Sequence, residues 1–179
     1  MIQFENALKN RRCYRQVKKL YIEAFPPNER PPLLLLALKA RKGAGEILGV
    51  YDDKTFVGLT ILVHHADMVY VFFLAVEAAQ RGAGRGTSIL AELAQRHTGK
   101  RLMLAIEDPD APCDNLPLRL RRRSFYLRNG YQPAGFKLCE SGVVYEMLAT
   151  APVTYGDYQQ LMTAFLGEKR FAAMHKPVA

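Results

Sequence analysis

The sequence predicts a mixed α/β domain. Its sheet is mostly antiparallel, is flanked by helices, and holds one parallel strand pair around a crossover. Three observations carry this expectation. Residues 69–76 (VYVFFLAV) form an unbroken apolar, aromatic and β-branched run, the pattern of a strand buried on both faces. A glycine-rich turn, 81–86, comes next, and Ile89, Leu90, Leu93 and His97 then recur at helical spacing. A second buried run, LMLAI, lies within 101–107, and a strand–helix–strand crossover implies parallel pairing.

Around this centre the chain reads as alternating elements. Residues 2–5 suit a short edge strand. Residues 10–25 suit a helix with Tyr14, Val17, Leu20, Tyr21, Ala24 and Phe25 on one apolar face, stopped by Pro26 and Pro27. A second helix is expected over 32–42, with proline at its start, cations in its last turn and Gly43 beyond. Residues 46–51 and 55–63 read as a hairpin about 52–54. A turn at 64–67 then leads into the strand 68–76. The crossover helix spans 84–97, ended by Thr98 and Gly99. After the strand 101–107, a proline-containing loop covers 108–117. A helix over 118–129 closes at Gly130. Strands 131–139 and 142–148 finish the sheet as a hairpin through 140–142, and 155–166 suits an accessory helix. The last residues are expected to be loose.

With 179 residues, one domain over 1–179 is the expectation, with core enough to fold without staples. Apolar residues make up 49% and charged residues 23%, as in ordinary soluble proteins. No apolar run approaches the ~18–20 residues of a membrane helix, and residues 1–15 are polar and basic, unlike a signal peptide. Cys13, Cys113 and Cys139 are odd in number and widely spaced, which suggests reduced thiols in a cytoplasmic protein. The net charge of +8 favours anionic partners. It is concentrated in 9–19, 39–42 and 119–123, each of which also suits a solvated helix face.

The turn itself makes an anion site. Glycines let successive N–H groups converge on one point. The first N–H groups of the following helix lack intrahelical partners, and its dipole adds partial positive charge. Arg81 and Arg85 add full charges, so a phosphate or pyrophosphate is the natural ligand. The phosphate-loop NTPase pattern is absent, because no Gly-Lys-Ser/Thr follows. A dinucleotide fingerprint fits poorly, since its third glycine would fall at Thr87. Glu107 does lie roughly 20 residues on, at a ribose-binding offset, but a single such unit beginning in mid-chain makes a poor dinucleotide fold.

The segment Arg81, Gly82, Ala83, Gly84, Arg85, Gly86 resembles motif A of the GNAT superfamily, the GCN5-related N-acetyltransferases. So does the preceding Leu74-Ala75-Val76. SFYLRNGY, 124–131, resembles motif B of the same superfamily. The resemblance covers about residues 10–150 and implies an acetyl-CoA-dependent N-acetyltransferase. Its acceptor would be a primary amine that attacks the thioester directly in a ternary complex. Neither motif contains a cysteine, which disfavours a covalent enzyme intermediate.

The resemblance also implies roles. Leu74, Ala75 and Val76 would run beside the pantetheine arm, with backbone groups of Leu74 and Val76 offered to it. Arg81 to Gly86 and Thr87 would hold the pyrophosphate. Tyr126 matches the proton donor to the leaving thiolate. Arg119 stands where many members carry a coenzyme-binding Asn, and Asn115 lies four residues upstream. Helical spacing puts Arg119, Arg122 or Arg123, and Tyr126 on one face, where cations would lower the phenol pKa. Glu107 is the carboxylate placed to act as base, or else to cap a loop or pair with an arginine, and Glu29 is a lesser candidate. The histidines show no metal-ligand spacing, so no metal is expected. Two other readings remain: a noncatalytic acyl-CoA-binding module, and a basic nucleic-acid-binding protein, for which no stacking-aromatic motif is present. The acceptor, whether small molecule or peptide, and homodimerisation are left open.

Overall fold

The computed structural model describes residues 1–174 and 176–178, with side chains up to Ala172. The fold is mixed α/β: a mostly antiparallel sheet flanked by helices, with one parallel pair. The chain divides into two compact units, Met1–His64 with Val71–Thr98, and His65–Tyr70 with Gly99–Ala179.

In the first unit the strand order is β1 (Ile2–Asn6), β2 (Gly45–Asp52), β3 (Thr55–His65) and then β4 (Met68–Val76). The pairs β1/β2 and β2/β3 are antiparallel. Helix α1 (Arg11–Ala24) begins where the Asn10 side chain accepts from the backbone N–H of Arg12 and Cys13, which satisfies two orphan donors. It buries Cys13, Val17, Leu20 and Tyr21. It ends at Phe25, which is extended at φ −124° because the following proline disfavours the helical region there. Helix α2 (Leu33–Arg41) buries Leu33, Leu36 and Ala37. Helix α3 (Arg85–Arg96) buries Ile89, Leu90 and Leu93, the residues whose spacing announced it.

In the second unit Met68, Val69 and Tyr70 of β4 pair in parallel with Arg101, Leu102 and Met103 of β5 (Arg101–Glu107). β5 pairs antiparallel with β7 (Val143–Ala149), and β7 with β6 (Gln132–Glu140). The β6–β7 connection is two residues, Ser141 and Gly142, both at positive φ, as the right-handed strand twist favours in tight hairpins. Helices α4 (Leu116–Arg128) and α5 (Tyr155–Leu166) belong here too. α5 is fixed by a capping box between Thr154 and Asp157 and buries Tyr158, Leu161, Met162, Phe165 and Leu166.

Four expectations are corrected. His64 and His65 lie in β3, not in a turn, because His64 N–H pairs with the Ala44 carbonyl. The turn is only Ala66-Asp67, with Ala66 at φ 50°. α3 starts at Arg85, since Gly84 is its left-handed cap. α4 starts at Leu116, because Pro117 suits a first helical turn rather than breaking it. Finally, the tail expected to be loose carries α6 (Glu168–Met174) and β8 (Lys176–Val178), which pairs with β6. Phe171 of α6 is buried, its ring 6.1 Å from that of Tyr158. His175 lies outside the described residues.

Candidate active site

Just beyond β4, the Glu77 N–H reaches the Val57 carbonyl of β3, and within β4 the Ala75 carbonyl abuts Gly58. Backbone groups alternate sides along a strand, so those of Leu74 and Val76 point away from β3. The Val76 carbonyl there accepts from Arg81 Nε at 3.1 Å. Ala75 is buried, while Leu74 and Val76 are half-buried. Their side chains therefore serve the core and their backbones face outward along that edge.

A 3₁₀ turn, Ala78–Gln80, precedes the glycines. Gly82 has φ +85° and Gly84 φ +71°, and a Cβ at either would meet nothing within 4 Å. The backbone conformation, not crowding, requires glycine at both. Arg81, Gly82, Ala83, Gly84 and Thr87 are exposed, and Arg85 and Gly86 half-exposed. The first hydrogen bond of α3 is Ser88 N–H to the Gly84 carbonyl. The N–H groups of Arg85, Gly86 and Thr87 therefore precede the helical ladder and are open to a ligand. Arg85 is drawn toward Asp52, Nε to Oδ2 3.5 Å. These residues fit a pyrophosphate: open N–H groups, a helix dipole and the exposed Arg81.

The second unit gathers four carboxylates and four cations along β6, β7 and α4, at the end of β5 and in the loop after it. Glu107 accepts from Arg122 Nη1 at 2.7 Å and from Arg119 Nη2 at 3.4 Å. Arg119, only 9% exposed, also donates to Asn115 Oδ1 at 2.9 Å and to the Asp108 carbonyl at 2.8 Å. Arg123 grips Glu146 through two bonds, 2.7 and 3.1 Å. Lys137 Nζ reaches Asp108 Oδ2 at 2.6 Å and Asp110 Oδ2 at 3.4 Å. Glu107 thus makes the arginine pairing that was one of the roles open to it. The cluster 119–123 is not a solvated face: only Leu120 and Arg121 are exposed within it.

Tyr126 stacks edge-on against Phe125 and Tyr131, with centroids at 5.0 and 5.8 Å. Burial pushes its phenol pKa up to about 12, and the Arg122 guanidinium acts in the opposite direction. The expected lowering by cations is thus corrected: desolvation of the phenolate outweighs Arg122. Tyr131, 2% exposed, buries a hydroxyl that has no hydrogen-bond partner among the described residues. Motif spacing marked Tyr131 only as an aromatic; nothing local in the sequence announced that its hydroxyl would be stranded. Glu29 sits half-exposed in the α1–α2 link, its N–H on the Pro26 carbonyl. Arg30 braces that link by donating to the Ile22 and Phe25 carbonyls.

Among the described residues no group of three His, Cys, Asp or Glu side chains is placed to hold a metal, all three cysteines are free, and no helix is long and apolar enough to cross a membrane.

A buried strand, a positive-φ glycine turn and an open helix N-terminus define an α/β protein whose third helix starts at an exposed glycine turn. The acetyltransferase (GNAT) family model matches residues 13–131, well over half of the chain, and the chain belongs to that family. No curated protein matches it. Among solved structures, one from Bacteroides thetaiotaomicron assigned to GNAT-family acetyltransferases is 22% identical, with TM-score 0.74 over 93% of this chain and 99% of that one. A Bacillus subtilis acetyltransferase in complex with CoA is 12% identical, with TM-score 0.59 over 86% and 100%. An Arabidopsis thaliana protein in complex with the bisubstrate analogue CoA-Ac-MVNAL is 15% identical, with TM-score 0.60 over 84% and 98%. At such identities the likeness is one of fold.

Proposed function

We propose that residues 1–179 work as one acetyl-CoA-dependent N-acetyltransferase domain, with 155–166 as an accessory helix. The observation that carries this is the pair Gly82 and Gly84 at positive φ before the open N–H groups of α3. Family membership and the CoA complex of the Bacillus subtilis structure support it.

In this reading the N–H groups of Gly82 to Thr87 and the Arg81 guanidinium hold the pyrophosphate. The outward N–H of Val76 polarises the thioester carbonyl, and that of Leu74 steadies the pantetheine arm. The amine attacks the thioester carbon directly; the C–S bond breaks, and Tyr126 gives its phenolic proton to the departing sulfur. A phenol near pKa 12 is fully protonated at neutral pH and can donate. Glu107 is bound by two guanidiniums, and we assign it to positioning Arg122 beside Tyr126. The attacking amine then loses its proton to water. Arg119 braces the start of α4 through Asn115 and Asp108, and we assign it to the coenzyme side of the site. The acceptor is a primary amine on a small molecule or a peptide; the peptide-bearing analogue held by the Arabidopsis structure favours the second.

The test is thermal unfolding with and without excess acetyl-CoA, with NAD(P)H as control. Ligand at 100 times Kd stabilises the native state by about 2.7 kcal/mol, a rise of several degrees in midpoint. A rise with acetyl-CoA alone supports the reading and opens a screen of amines by thiol release. No rise removes it.

A further inference from the structure

Two basic segments, 9–19 and 39–42, are used neither by the glycine turn nor by the ion pairs of α4, and the fold brings their ends together. A cavity of about 370 Å³ opens between the β1–α1 turn, the first half of α1 and one face of α2. Lys9, Arg11, Arg15 and Arg41 line it, beside Tyr14 and Leu34. No carboxylate lines it. Glu5, which lies close by, accepts instead from the Asn10 amide at 2.6 Å.

The four cations are exposed and open to an anion. Among the described residues none of the four cations has an ion-pair partner. Arg11 and Arg15 stand four apart on one helix, where like charges repel. The N-terminus of α1, a helix of 14 residues, adds partial positive charge at the same end. Each of these terms is relieved by an anion. Beside the charges, Tyr14 is half-buried and Leu34 is 66% exposed, so an apolar wall stands next to the cationic one. The volume falls within the small-molecule range of about 300–1,000 Å³. A concave site favours a compact ligand over a duplex backbone.

We propose that this cavity binds a phosphorylated small molecule of nucleotide size. Its phosphates lie on Lys9, Arg11, Arg15 and Arg41, and its apolar part lies on Tyr14 and Leu34. The site shares no residue with the 81–86 turn. It is also unfit for the amine acceptor, because four cations repel an ammonium. The binding is therefore additional to acetyl transfer and independent of it.

The experiment is calorimetric titration of the full chain, at low salt with a chelator present, using ATP and inorganic triphosphate as separate probes. Three variants accompany the wild type: Arg15→Gln/Arg41→Gln, Tyr14→Ala and Gly84→Asp. The expected result is one saturable ATP site. The double variant weakens it about tenfold or more, since charged hydrogen bonds are removed. Its thermal midpoint stays near that of the wild type, because relief of the Arg11/Arg15 repulsion offsets the loss of Arg41 at the C-terminal end of α2. Tyr14→Ala erases the preference for ATP over inorganic triphosphate, and Gly84→Asp leaves binding here unchanged. Loss of ATP binding in Gly84→Asp alone would assign the affinity to the glycine turn and overturn the proposal. So would the absence of saturable binding by either probe. Oligonucleotide binding lost in the double variant, with no saturable ATP site, would overturn it in favour of nucleic acid.

Discussion

Arg122 Nη1 donates to Glu107 Oε2 at 2.7 Å, and the same guanidinium is the cation that acts on the Tyr126 phenol. A carboxylate at the end of β5 thus sets the position of a charge on α4, one turn from the residue matched to the proton donor. This separates two roles for Glu107. A general base must be free to take a proton at the amine; a positioning carboxylate must hold Arg122.

Glu107→Gln distinguishes them. Gln keeps an acceptor for Arg122 but loses the charge. The expected cost in stability is about 1.5–3 kcal/mol, the scale of hydrogen bonds to charged groups, read as a lower urea midpoint. Turnover should fall by less than about tenfold, with the shape of the acid limb of the pH–rate profile unchanged. A loss of about 10²-fold or more, together with loss of that limb, would make Glu107 the base.

Tyr126→Phe removes the phenol and keeps the ring stack against Tyr131. Positioned acids contribute about 10²–10⁴-fold, so turnover should drop by at least the lower figure while coenzyme affinity holds. The wild-type profile carries a further check. A phenol held up at about 12 stays protonated through the usable alkaline range, so Tyr126 contributes no descending limb below about pH 11. A descending limb near pH 9 that vanishes in the Phe variant would contradict the burial of this group.

What could be read from the sequence depended on how local the signal was. The strand, glycine turn and helix over 69–96 are contiguous, so burial pattern, φ requirement and helical spacing all speak within one window. The α4 network is different. Arg122 and Glu107 are 15 residues apart, Arg123 and Glu146 23, and Lys137 and Asp108 29. A run of arginines shows charge but not its partner, so solvated face, phosphate contact and ion pair look alike. Tyr126 shows the same limit: spacing placed a cation beside it, but only the packed structure shows that desolvation outweighs the cation. His64 and His65 were misplaced for a related reason, because strand pairing with Ala44 is a long-range bond.

Gly84 offers a test in which conformation and charge pull apart. Ala there has room, since a Cβ meets nothing within 4 Å, but must sit at φ +71°. Left-handed backbone costs a non-glycine residue about 1–2 kcal/mol. Gly84→Ala should therefore lose about that much stability and keep coenzyme binding. Asp tolerates the left-handed region better, and its charge is favoured beside the helix dipole. Gly84→Asp should unfold close to wild type in urea yet fail to bind acetyl-CoA, because its carboxylate meets the pyrophosphate. If the Asp variant binds acetyl-CoA normally, the pyrophosphate does not sit at this turn.

The last prediction concerns acid stability. Glu46 on β2 lies 3.4 Å from His64 Nε2 and 2.7 Å from Arg96 Nη2. His64, then Arg96, hold its carboxyl below the usual range against the opposing effect of burial. A carboxyl lowered in the folded state binds fewer protons there than in the unfolded chain. Its contribution to stability is therefore full above the unfolded value, near 4.3, and is lost as pH falls through the folded one. The difference in unfolding free energy between wild type and Glu46→Gln should shrink as pH falls from about 5 toward 3. Urea titrations at half-unit steps measure it. A difference that does not change across that window would mean that His64 and Arg96 add nothing to the folded state through this carboxylate.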